Sequence, residues 1–166
     1  MKITVTSGSG VGTTAMAAFD DALNKAGIAN YNLIKLSSII PPQTDIVLDH
    51  YTPIGADEYG NRLYTVLAEM RTAETNKTIG AGIGWFQWGD NRGVFVETHQ
   101  IMDGINQAEM EKRVRDDLEH TVLDLCSFRK IPVQRENIKV LMKVEEVKDQ
   151  PRSVLVAAVY KSEGWG

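Results

Sequence analysis

Apolar and polar positions alternate at the start of the chain. Ile3 and Val5 fall on one face and Thr4 and Thr6 on the other, the period-two pattern of a half-buried strand over Lys2 to Ser7. Gly8, Gly10 and Gly12 then predict a loop, and Thr13 or Thr14 has the side chain to cap a helix running to Ala26. Met16, Phe19, Leu23 and Ala26 form the expected buried stripe of that helix, with Gly27 as its stop. Tyr31 to Leu36 reads as a second strand, closed by Ser37-Ser38-Ile39-Ile40-Pro41-Pro42, where two prolines end regular pairing. Further strands are predicted over Asp45 to Tyr51, Arg62 to Met70, Thr78 to Trp88 and Gly93 to His99. A long helix follows: Asn106 and Glu109 have capping-box spacing, and Met110, Val114, Leu118 and Val122 recur every fourth residue. Ile138 to Val147 and Ser153 to Tyr160 close the chain as strands around a turn at Lys148 to Arg152.

Two helices against seven or eight strands predict an α+β fold of the αββα sandwich type, with mostly antiparallel sheets packed together and the helices on their outer faces. The chain has 166 residues, 43% hydrophobic and 24% charged, which suits one domain spanning residues 1–166 with a proper core. A net charge of -4 argues against a nucleic-acid partner, which favours a basic face. Cys126 is the single cysteine, so no intramolecular disulfide forms, and a reduced, cytoplasmic protein is expected. The N-terminus has no apolar signal region, and no apolar run reaches membrane-spanning length, so no membrane association is expected.

Three familiar chemistries lack their motifs. Gly8-Ser9-Gly10-Val11-Gly12-Thr13-Thr14 has the outline of a phosphate cradle, but Thr13 stands where a P-loop needs lysine and where the dinucleotide fingerprint needs glycine. His50, His99 and His120 are scattered without metal-ligand spacing, so no metal is expected. No nucleophile elbow of the G-x-S-x-G type is present.

A different segment stands out. Asn32-Leu33-Ile34-Lys35-Leu36-Ser37-Ser38-Ile39-Ile40-Pro41-Pro42 sets a serine pair at the end of an apolar strand, before two rigid prolines, where backbone strain can be held. This segment resembles the self-cleavage site of pyruvoyl-dependent arginine decarboxylases. Ala18-Phe19-Asp20-Asp21-Ala22-Leu23 and Ala26-Gly27-Ile28-Ala29-Asn30 resemble that family's first helix and its exit. Glu97, after Gly93-Val94-Phe95-Val96, is similar to the strand that carries the family's catalytic glutamate. The likeness runs from Lys2 to Tyr160.

The resemblance implies that Ser38 becomes the cofactor, a covalent pyruvoyl group. Its hydroxyl attacks the Ser37 carbonyl to give an ester. Elimination releases residues 1–37 (the β chain) and leaves a dehydroalanine, which hydrolyses to a pyruvoyl group heading residues 38–166 (the α chain). The pyruvoyl ketone forms a Schiff base with the substrate α-amine and takes up electrons as carbon dioxide leaves. L-arginine would thus become agmatine. By the same likeness Glu97 is the catalytic proton donor, Asn32 a polar group beside the pyruvoyl, Asp20 the partner of the substrate guanidinium, and Ile39 part of the pocket wall. An ideal helix sets Asp20 at the flank of the buried stripe and turns Asp21 to the opposite, solvated side. The family also implies a homotrimer of cleaved protomers, or a multiple of it, with sites between neighbours. Two alternatives remain open: a decarboxylase of another amino acid with the same cofactor, or a non-processing trimeric binding or regulatory homologue.

Overall fold

The first strand, β1, runs over Lys2–Val11, further than the alternation predicts. Gly8 and Gly10 belong to this strand rather than to a loop. They are glycines because the first helix, α1 (Ala15–Ala26), crosses β1 at close range. A Cβ at Gly10 would stand 2.1 Å from the Ala18 carbonyl oxygen, and one at Gly8 2.1 Å from that of Ala22. The glycine signal that mimics a phosphate cradle is therefore a packing groove.

Thr14 caps α1 by accepting from the Ala17 N–H at 3.1 Å, and Gly27 ends the helix with φ 82°. The buried face is Ala18, Ala22, Leu23 and Ala26, whereas Met16, expected to head the stripe, is 63% exposed. The groove over the glycines accepts only small side chains, so alanines spaced four apart face inward and set the helix rotation.

The computed structural model describes all 166 residues. The remaining strands are β2 (Asn32–Lys35), β3 (Ile39–Ile40), β4 (Asp45–Leu48), β5 (Arg62–Thr72), β6 (Lys77–Trp88), β7 (Arg92–Asp103), β8 (Lys139–Val147) and β9 (Arg152–Glu163). The second helix, α2, spans Gln107–Phe128 and carries the expected capping box between Asn106 and Glu109. One sheet has the order β2-β5-β9-β1-β4 and the other β3-β7-β6-β8. Pairing is antiparallel except for β1 with β4 and β2 with β5.

Three apolar layers hold the sandwich. Ile3, Val5, Phe95, Ile83 and Val156 belong to the cluster between the sheets. Leu23, Ile28, Leu67 and Leu155 pack under α1, and Met110, Val114, Leu118 and Val122 pack under α2. The arrangement is thus helix, sheet, sheet, helix, as the pattern predicts. No helix is long and apolar enough to cross a membrane.

For function, the decisive feature is an edge. β2 is the outermost strand of one sheet and β3 of the other. Leu36, Ser37 and Ser38 are the whole connection between them, so the serine pair lies where the chain steps from sheet to sheet.

Candidate active site

The backbone on each side of the serine pair is tied down. Upstream, the Leu36 N–H donates to the Thr65 carbonyl at 2.8 Å, prolonging the β2–β5 ladder. Downstream, Ile39 and Ile40 pair with Val94 and Gly93, and the Phe95 N–H donates to the Ser38 carbonyl at 2.8 Å. Ser38 is left to absorb the change of direction, and it does so with φ 44°. A left-handed conformation costs a non-glycine residue about 1–2 kcal/mol. No glycine relieves it, so the strain is held by the ladders on both sides.

Glu97 faces the Ser38 side chain. Alternation along β7 sends Val94 and Val96 toward α2 and Phe95 into the core between the sheets. Glu97 and His99 continue on the Phe95 side, where the sandwich opens. The Ser38 hydroxyl donates to Glu97 Oε2 at 2.7 Å, within the range of a short charge-assisted bond. A hydroxyl oxygen and a carboxylate are thereby brought together across 59 residues of sequence.

Beside this pair is a cavity of about 450 Å³, lined by Lys35, Leu36, Leu67, Glu69, Met70, Arg71, Glu97 and His99. It exists because β2 ends while β5 continues: beyond the pairing of Lys35 with Thr65, the β5 edge has no partner strand. Arg71 leans over the Phe19 ring, 4.4 Å from its centroid, and donates to Met16 Sδ at 3.7 Å. Glu69 Oε2 is buried without a hydrogen-bond partner, and Glu69 Oε1 stands 4.0 Å from Arg71. The wall therefore mixes carboxylates with cations, which suits a ligand carrying both signs of charge.

The other anticipated residues are more dispersed. Asp20 is exposed, its side chain makes no hydrogen bond and does not line this cavity, although Met16, one turn earlier, touches the cavity residue Arg71. Asp21 departs from its expected solvated role. It is half-buried, accepting from the Val11 N–H at 3.0 Å and from Lys25 Nζ at 2.8 Å, because the actual helix rotation turns it toward the end of β1. Asn32 begins β2, with its Nδ2 donating to the Gly60 carbonyl at 2.6 Å. The four residue steps from Asn32 to Leu36 alone cover about 13 Å of strand, so Asn32 stands apart from Ser38 within one chain. Ile39 is 53% exposed and lines a separate shallow groove with Pro41, Pro42 and Trp88.

Sequence reasoning missed Lys35, Glu69, Arg71 and Tyr160, and dismissed His99 as one of three scattered histidines. A signal for Glu69 and Arg71 was available: they are charged positions interrupting the apolar residues Val66, Leu67, Ala68 and Met70 of β5. Tyr160 gave none, since a tyrosine near the end of a strand is ordinary. Its hydroxyl donates to the Ile39 carbonyl at 2.8 Å, and its ring meets Phe95 edge-on with centroids 6.2 Å apart. Burial, reinforced by the negative charge of Glu97, pushes the Tyr160 phenol above its ordinary value, so it stays a proton-bearing donor at neutral pH.

Comparison with known proteins identifies the family. The family model described as pyruvoyl-dependent arginine decarboxylase matches residues 2–164. The pyruvoyl-dependent arginine decarboxylase of Pyrococcus abyssi is 33% identical over 150 residues, covering 89% of this chain and 87% of that protein. The protein of that name from Thermococcus kodakarensis is 32% identical over 149 residues, with the same shares covered. The one from Picrophilus torridus is 34% identical over 114 residues, covering 64% of this chain and 59% of its own. With a family model covering nearly the whole length and relatives matched over most of theirs, the chain belongs to the pyruvoyl-dependent arginine decarboxylase family.

Proposed function

We propose that the arginine decarboxylase activity and covalent pyruvoyl group that go with this family are built at Ser38, after the chain is cut between Ser37 and Ser38. The observation that carries the reading is the 2.7 Å bond from the Ser38 hydroxyl to Glu97, made by a residue with φ 44°. The residues fit the group. Ser38 has its oxygen one carbon from Cα, its carbonyl is held by the Phe95 N–H, and a carboxylate is on hand to take a proton.

Glu97 takes the hydroxyl proton as Oγ bonds to the Ser37 carbonyl carbon. The Ser37–Ser38 C–N bond then breaks, and its nitrogen gains a proton. Loss of the residue 38 Cα proton expels the Ser37 carboxylate and ends residues 1–37. Water displaces the nitrogen as ammonia, leaving a ketone at the head of residues 38–166.

The pyruvoyl group at residue 38 would supply the electron sink for loss of carbon dioxide. The chain's own residues do the rest. Phe95 N–H steadies the residue 38 carbonyl, and Glu97 delivers a proton to the carbon that lost carbon dioxide. Asp20 pairs with the substrate guanidinium, a carboxylate being suited to bidentate contact. Asn32 and Ile39 complete the site from a neighbouring copy, which is why a homotrimer or a multiple of it is part of the reading. The substrate is L-arginine, the product agmatine, and the compartment the cytoplasm.

The test is intact mass of the purified protein, followed by carbon dioxide release from a panel of amino acids. Two fragments, residues 1–37 and 38–166, with release from arginine above lysine and ornithine, are expected. A chain that stays whole after prolonged incubation sinks the proposal. Ser38→Ala is expected to remain one chain and to release no carbon dioxide. Light scattering reads the oligomer.

A further inference from the structure

A cut after Ser37 removes the covalent tie between residue 38 and β2, and little is left to hold the new terminus. β3 comprises only Ile39 and Ile40, at the edge of its sheet. On the β7 side the Phe95 N–H holds the Ser38 carbonyl. Carbonyls alternate along a strand, so the Ile39 carbonyl points away from β7, where an edge strand has no neighbour. Tyr160 fills that position. It belongs to β9, the middle strand of the opposite sheet, and its hydroxyl reaches the Ile39 carbonyl at 2.8 Å. Its ring also abuts Phe95, the residue whose N–H holds position 38.

We infer that Tyr160 is a positioning residue, a clamp from one sheet to the other that keeps residue 38 in register after the chain is cut. The inference rests on the cleavage reading above. In the intact chain the Leu36–Thr65 bond and the peptide through Ser37 restrain the same segment, so the clamp matters most in the cut protein. It acts on the reaction through residue 38 and touches no substrate. The donor persists through neutral pH, since burial and Glu97 hold the phenol protonated.

Tyr160→Phe tests this, because it removes one oxygen and leaves the ring against Phe95. The variant is expected to be cut to completion. In the cut protein, backbone amides of residues 39 and 40 should exchange with deuterium about fivefold faster, the effect of losing one hydrogen bond. kcat for arginine should fall by a similar factor with KM unchanged. In an uncleaved Ser38→Ala background the same substitution should change exchange at residues 39 and 40 by less than twofold. A wild-type chain that stays whole overturns the cleavage reading itself. A cut Tyr160→Phe protein with wild-type exchange and kcat overturns the clamp alone, and so does an equal effect in the cut and uncut backgrounds.

Discussion

Strain at position 38 can be weighed directly, because two uncleavable variants differ only in whether they feel it. Ser38→Ala and Ser38→Gly both lack the attacking oxygen and both lose the bond to Glu97, so each remains a whole chain with the same missing contact. They differ by one Cβ at φ 44°. Alanine at a positive φ is disfavoured by about 1–2 kcal/mol, while glycine adopts it freely. Glycine's greater freedom in the unfolded chain returns roughly 0.5–1 kcal/mol of that difference. A net advantage for Ser38→Gly of roughly 0.5–1 kcal/mol remains at the middle of these ranges, which at this chain length corresponds to a rise in Tm of about 1–4 °C. Thermal melts followed by circular dichroism, with intact mass confirming that neither chain is cut, read the difference. Equal midpoints, or a more stable alanine variant, would refute the idea that the serine pair is held under backbone strain.

Other perturbations address the remaining residues. Glu97→Gln keeps an acceptor for the Ser38 hydroxyl but cannot take a proton; cleavage on denaturing gels should slow, and carbon dioxide release by the cut protein should fall at least about a hundredfold. Asp20→Asn should raise KM for arginine about tenfold; a matching loss with ornithine, which has no guanidinium, would remove Asp20 from that role. Gly10→Ala drives a Cβ to 2.1 Å from the Ala18 carbonyl, so α1 must lift from β1. Overpacking of this kind costs about 1–3 kcal/mol, and Tm should drop by roughly 3–10 °C. The Lys25 ammonium and the Val11 N–H beside Asp21 hold its carboxyl below the ordinary value. Its contribution is therefore present above about pH 4 and is lost as pH falls through the lower folded value. Wild type should exceed Asp21→Asn by about 0.5 kcal/mol at pH 7 in urea melts, and the gap should close in strong acid.

Helix α2 shows what local pattern alone could decide. Its capping box and its fully buried Met110, Val114, Leu118 and Val122 obey short-range rules of period and cap. The same rules placed nearly every strand and, through the strand and helix count, the sandwich. They also set Ser37-Ser38 at a strand end and put Glu97 on the face shared by Phe95 and His99. Resemblance then supplied a chemistry for those residues that composition and spacing did not contain.

Long-range packing decided the rest. Whether Gly8 and Gly10 form a loop or lie in a strand depends on where α1 crosses, and local pattern carries no information on that crossing. Its rotation in turn exposed Met16 and half-buried Asp21, against the apolar-stripe reading. The cavity arises from the unequal lengths of β2 and β5, which lie 26 residues or more apart in the chain. Tyr160 reaches the serine step only because β9 is central in the opposite sheet, 121 residues from Ile39. The sequence by itself determined the elements and the reactive pair of serines, because those follow from neighbours along the chain. The tertiary structure alone decided that Ser38 sits strained against Glu97, since that contact spans two sheets whose registers no local pattern encodes.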